Sequence, residues 1–255
     1  MDKNVGFNRN IRLAWLDATA ALCSEVADPA AIRAALDSIV GDDIASPTNR
    51  RKAIDILLNI WIKTAGVAPP LRAEAVARFA EAAAIDRLWL HYGLTLLYYP
   101  FFRETAAAIG QLARYGDPIT PGLVKHRLVA GRGQLGSLDK AVERVIFSLR
   151  DWRLLTDADQ RSAYRALQPS LSTTSVGLEA WLLACAVHAH PADELPVADL
   201  LRLPELFPFT LPLTVDDLRR SPHFEVRRQG SGWDAVSPAS PWAQKSGPVN
   251  APSCD

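Results

Sequence analysis

Apolar positions recur at helical spacing through most of the chain. Ile11, Leu13, Leu16, Ala20 and Leu22 or Cys23 share one face of a helix predicted from about Asn10 to Val26. Asp28-Pro29 then combines an N-cap residue with a proline at the first helical position. It predicts a short helix through Ile32, Leu36 and Ile39 that stops at Gly41. Ser46-Pro47 repeats the start signal ahead of an amphipathic segment with Ile54, Leu57, Leu58, Trp61 and Ile62 on one side. Beyond Pro69-Pro70, an alanine-rich helix (Leu71 to Ala84) leads into the aromatic stretch Ile85 to Tyr99, and a further helix runs from Phe101 to Tyr115.

From Pro118 the pattern changes. Thr120-Pro121 opens a helix, glycines make a turn, and Ser137 caps a helix in which Leu138, Ala141, Val142, Val145, Leu149 and Trp152 form one apolar stripe. Arg153 to Thr156, the polar turn Asp157 to Gln160 and Arg161 to Leu167 then read as a short β-hairpin. Two short helices followed by a hairpin is the order of a helix-turn-helix with a wing. The order recurs: helices at Leu178 to Ala189, Val197 to Leu203 and Val215 to Arg220 precede a hairpin of Phe224 to Arg228 and Trp233 to Val236. The expected fold class is therefore mainly α, a helical N-terminal domain followed by two winged-helix-like units with short β-hairpins. Its divisions fall at residues 1–66, 67–116, 117–175, 176–238 and a disordered tail, 239–255, rich in Pro, Ser and Ala.

Composition narrows the function. Among 255 residues, 28 basic and 28 acidic side chains cancel, so attraction to nucleic acid requires local clustering. One cluster exists: Pro118 to Arg153 holds seven Lys and Arg against three Asp and Glu. Lys125, Arg127, Arg132, Lys140, Arg144 and Arg150 are its candidate phosphate contacts, since cations on a recognition helix neutralise phosphates and reach into the major groove. Asp139, Glu143 and Asp151 interleave with them and could pair instead. Arg50, Arg51 and Lys52 crowd the start of a helix, where they oppose its dipole unless an anion sits nearby. Arg227 and Arg228 on the last hairpin form a third group, offset by Glu225, Asp216 and Asp217.

Other motifs read as structure. Gly131 to Gly136 matches G-x-G-x-x-G but follows a helix, not a strand, and is expected to be a turn. His188 and His190 sit at a helix end without a second ligand pair, and Trp89, Tyr92, Tyr98, Tyr99, Phe101 and Phe102 alternate with leucine as core residues do. No G-x-S-x-G, H-E-x-x-H or P-loop string is present, so no enzyme activity, metal or cofactor is expected. Three scattered cysteines and an opening segment without a continuous apolar stretch lead to a cytoplasmic expectation. The longest apolar run, Leu88 to Phe102, contains His91 and Pro100 and is shorter than the roughly 20 residues that span a bilayer, so no membrane association is expected.

The strings DRLWLHYGLTLLYYPFFRETAAAIGQL and SLDKAVERVIFSLRDWRLLTD, covering Asp86 to Asp157, resemble the A protein of BREX phage-defence systems (BrxA). In that family an apolar helix ending in a Tyr-Pro turn precedes a winged-helix unit that closes in a Leu-Arg-x-x-x-Leu-Leu pattern. Here Tyr99-Pro100 and Leu149-Arg150 with Leu154-Leu155 occupy those places. The opening helices through SPTNRRKAIDILLNIW are similar to the family's N-terminal domain, so the resemblance covers residues 10 to 170. It implies a small helical accessory protein that binds double-stranded DNA beside other defence-system proteins, with self-association compatible. Residues 176–236 are not accounted for by it. Two alternatives stay open: winged helices that dock protein partners in a larger complex, and a transcriptional regulator.

Overall fold

Proline opens many of the helices. In the computed structural model, which describes residues 6–132, 138–230 and 232–240, α2 (Pro29–Gly41), α3 (Pro47–Trp61), α4 (Pro69–Glu81), α6 (Pro100–Arg114) and α7 (Pro121–Arg132) all begin on it. Its missing N–H is one of the donors a first turn leaves unpaired anyway, and its φ is already helical. Asp28 caps α2 as its position predicts, accepting from the backbone N–H of Ala30 and Ala31. The Tyr-Pro junction splits the long apolar run into α5 (Ala84–Tyr98) and α6, and no helix among the described residues is long and apolar enough to cross a membrane.

The chain is mainly helical with two small antiparallel sheets. α1 (Leu13–Glu25), α3 and α4 pack on α5, which is buried on nearly every side from Leu88 to Leu97, and α2 packs against α1 and α3. A helix apolar all round must lie inside. Its inner neighbour is α9 (Leu178–Ala189), equally buried, and the two approach closely at Gly93. A Cβ there would stand 2.6 Å from the Trp181 ring, so only glycine permits this spacing. Buried residues form one connected core from Phe7 to Val236, and α5 against α9 joins the central helices to the chain beyond Val176.

After α7 and α8 (Leu138–Asp151) comes the first hairpin, β1 (Leu155–Asp157) with β2 (Tyr164–Ala166). The second is β4 (Phe224–Gln229) with β5 (Trp233–Pro238), preceded by α10 (Val197–Leu200) and α11 (Val215–Arg220). Both hairpins lie where the alternation of residues places them. A third strand, β3 (Leu195–Pro196), was not expected: two residues pair with β5, too few for a period. The predicted helix Val197 to Leu203 stops at Leu200, because Leu203 precedes Pro204 and adopts an extended backbone. The part of the expected tail, 239–255, that follows residue 240 lies outside the described residues, as do the Ser137 cap and most of the Gly131–Gly136 turn, whereas Ala239 is buried and its N–H donates to the His223 carbonyl.

Candidate nucleic-acid interface

The predicted first helix begins late. α1 starts at Leu13 and not near Asn10, because residues 8–12 are held across α8 by that helix's polar side chains. Ser148 Oγ accepts from Ile11 N–H at 2.9 Å, and Asp151 Oδ1 accepts from Leu13 N–H at 2.6 Å. Trp152 Nε1–H donates to the Ile11 carbonyl at 3.0 Å, and Arg144 Nη1 donates to Asn10 Oδ1 at 3.1 Å. Phe7 and Ile11 are fully buried beneath the segment, with Phe7 against Tyr99 and Phe102. Each buried backbone group so satisfied avoids a desolvation cost of about 1–3 kcal/mol.

The segment also reaches α3. Arg9 Nη2 donates to Asn49 Oδ1 at 3.2 Å, while Arg9 Nη1 donates to the Asn8 carbonyl at 2.7 Å. Lys52 follows Asn49 by one helical turn, and Lys140 precedes Arg144 by one. Two of the three basic groups singled out in the sequence, one on α3 and one on α8, are thus joined through Asn8-Arg9-Asn10. Among the described residues, none of Arg9, Lys52, Lys140 and Arg144 has a carboxylate partner. The α3 start reinforces them: Ser46 makes no side-chain cap and its first turn holds no acid, leaving the positive end of the helix unanswered.

The other candidates are placed differently. Arg50 turns away to bind Asp37 at 2.8 Å and ties α3 to α2. Arg51 is exposed without a partner among the described residues, but lies about 200° around the helix from Asn49. Lys125 pairs with Asp139 at 2.5 Å, and Arg127 lies 3.8 Å from Asp117. Arg150 pairs with Asp157 at 2.6 Å and covers the Tyr164 ring. The α7 helix includes Arg132, whose side chain lies outside the described residues. On β4, Arg227 pairs with Glu225, whereas Arg228 is exposed and without a partner among the described residues.

The residues missed in the sequence are Arg9 and the three asparagines. A signal was present: Asn8-Arg9-Asn10 and Asn49-Arg50-Arg51-Lys52 are similar amide–arginine strings, but nothing local shows that they meet. Compared with protein-family models, curated proteins and solved structures, the chain matches none of them.

Proposed function

We propose that this protein is a double-stranded-DNA-binding accessory protein whose contact surface is built from the first residues of the chain, the start of α3 and α8. In this reading α7, α8 and the β1–β2 hairpin act as a winged-helix-like unit, and residues 176–238, from α9 to β5, form a second such unit. One observation carries it: Arg9 reaches Asn49 on α3 and Arg144 on α8 reaches Asn10, so among the described residues both guanidiniums are answered by amides and not by carboxylates, with Lys52 and Lys140 one helical turn further along α3 and α8. A cation answered only by neutral groups keeps its field available to a phosphate. Among the described residues, the rings next to the first residues of the chain, Phe7, Trp15 and Trp152, are buried, and Phe147 on α8 is an isolated exposed ring. A single ring offers no run of platforms for successive stacked bases, which favours a duplex over a single strand. The phage-defence setting, with other defence proteins as partners, rests on the sequence resemblance over residues 10 to 170.

A second reading has its own support. Leu123 on α7 and Phe147 on α8 are exposed apolar side chains, 41% and 37% accessible, and would suit a protein partner. Anisotropy titration of a labelled duplex separates the readings. With about four phosphate contacts, log affinity should fall against log salt with a slope of roughly −3 to −4. No binding at low salt, or binding unchanged by charge reversal at Lys52, Lys140 and Arg144, would leave the protein-docking reading.

A further inference from the structure

A second site lies away from the basic surface, in a cleft of about 430 Å³ between α4, the start of α9 and the turn from α11 into β4. Ser221 Oγ stands 3.0 Å from His223 Nδ1, and His223 Nε2 stands 2.8 Å from Glu74 Oε2. The other Glu74 oxygen accepts from Arg78 Nε at 2.8 Å, and Arg78 Nη1 donates to the Val176 carbonyl at 3.1 Å. Three functional groups, two of them neighbours and the third 149 residues away, therefore form one hydrogen-bonded line, and Ser221 ends it at the cleft wall.

The proton order follows from the acceptor at the far end. Burial works against the Glu74 charge, but the hydrogen bonds from His223 and Arg78 outweigh it and hold the carboxyl below its ordinary range. An ionised carboxylate only accepts, so Nε2 carries a proton, and in the neutral ring Nδ1 is then the acceptor facing the Ser221 hydroxyl. The ring itself is 5% exposed, which fixes its orientation.

The same cleft holds the start of α9. Gly177, at φ +77°, occupies the N-cap, so no side chain caps this 12-residue helix. Leu178 N–H finds the Ser175 carbonyl, while the next first-turn donors belong to the positive end of the helix at the cleft wall formed by Gly177 and Ala180. Such uncapped donors suit a developing oxyanion. Val176, Ala180, Leu213 and Pro222 give the cleft apolar walls, and its volume suits a small molecule.

We propose that Ser221 is the nucleophile of an acyl-transfer centre acting on small carboxylic esters, with His223 as its base and Glu74 as the positioning residue. Ser221 Oγ attacks the ester carbonyl as its proton passes to His223 Nδ1, and the Nε2–H bond to Glu74 stabilises the imidazolium. The tetrahedral oxyanion is stabilised at the α9 start. Its collapse breaks the C–O bond, and His223 returns the proton to the departing alkoxide, giving an alcohol and acyl-Ser221. Water, deprotonated by the same imidazole, then releases the carboxylic acid and restores the serine.

The full chain incubated with a fluorophosphonate probe should be labelled once, on Ser221, as mapped by mass spectrometry. p-Nitrophenyl acetate hydrolysis should fall on acidification and drop about 100-fold or more in Ser221→Ala and His223→Gln. Glu74→Gln should lower kcat by about tenfold with KM little changed, and alter the rate–pH profile, which a purely structural role would not do. Labelling of the unmutated chain cannot be obscured by a folding defect. Absence of label at Ser221, or hydrolysis unchanged in a Ser221→Ala chain that melts as the parent does, overturns the proposal.

Discussion

Around α11 and β4, Arg219 reaches both Asp216 and Asp234, Arg220 reaches Asp217, and Arg227 reaches Glu225. Around the first residues of the chain, the partners of Arg9 and Arg144 among the described residues are asparagine and backbone oxygens. The two surfaces are built from the same cation, and their fields differ because of what answers it. On α11 the answer is in the sequence: acids three residues before each arginine share its helix face, and Thr214 with Arg220 holds the Asp217 carboxyl down to about 2. From Lys3 to Leu16 no acid occurs at all, so no sequence neighbour answers Arg9 as Asp216 and Asp217 answer the α11 arginines. A count of cations is therefore a poor guide to surface potential, and the neutral whole-chain charge conceals one surface of each kind.

The contrast can be broken most forcibly from beneath. Trp152 is buried and holds Ile11, so Trp152→Ala should cost about 3–5 kcal/mol of stability in chemical denaturation and also release the residues that gather the cations. Duplex binding should then vanish even in chains that remain folded. Next in size, Lys140→Glu with Arg144→Glu should weaken duplex binding by about 100-fold at low salt, against less than about threefold for Arg227→Glu with Arg228→Glu. Equal losses would mean that the two surfaces do not differ as described.

The reverse experiment sharpens the point. Asp216→Asn, Asp217→Asn and Glu225→Gln together would free Arg219, Arg220 and Arg227, and should raise duplex affinity by about three- to tenfold in anisotropy titrations at low salt. No gain would show that the compensating carboxylates are not what silences that surface. Smallest is Arg9→Gln, which keeps a neutral hydrogen-bond donor on the segment while removing one charge. It should cost about three- to fivefold in affinity and reduce the salt slope by about one unit.

Much of the architecture was legible in the residues. Proline starts, the Asp28 cap, the amphipathic stripes and both hairpins follow from local rules of backbone and period, so their elements lie within a few residues of where the pattern puts them. The misses have specific causes. Residues 10–12 continue the helical period of α1, yet Ser148, Asp151 and Trp152 offer their backbone better partners, and the helix starts at Leu13. β3 is two residues long and exists only because β5 leaves an edge for it. Of the cations nominated on α7 and α8, Lys125 and Arg150 find carboxylates across loops that no helical spacing reveals.

The residue order alone therefore determined which segments are helices, where the proline-led ones begin, which stripes enter the core and where the two hairpins turn, because each depends on neighbours within about one helical turn or one strand pair. Tertiary packing decided which cations remain unanswered, that Asn8-Arg9-Asn10 joins α3 to α8, and that Glu74 meets His223 from 149 residues away. Those outcomes depend on side chains that become neighbours only when apolar faces far apart in the chain close on one another. The burial that drives that closure is indifferent to which polar groups it brings together at the rim.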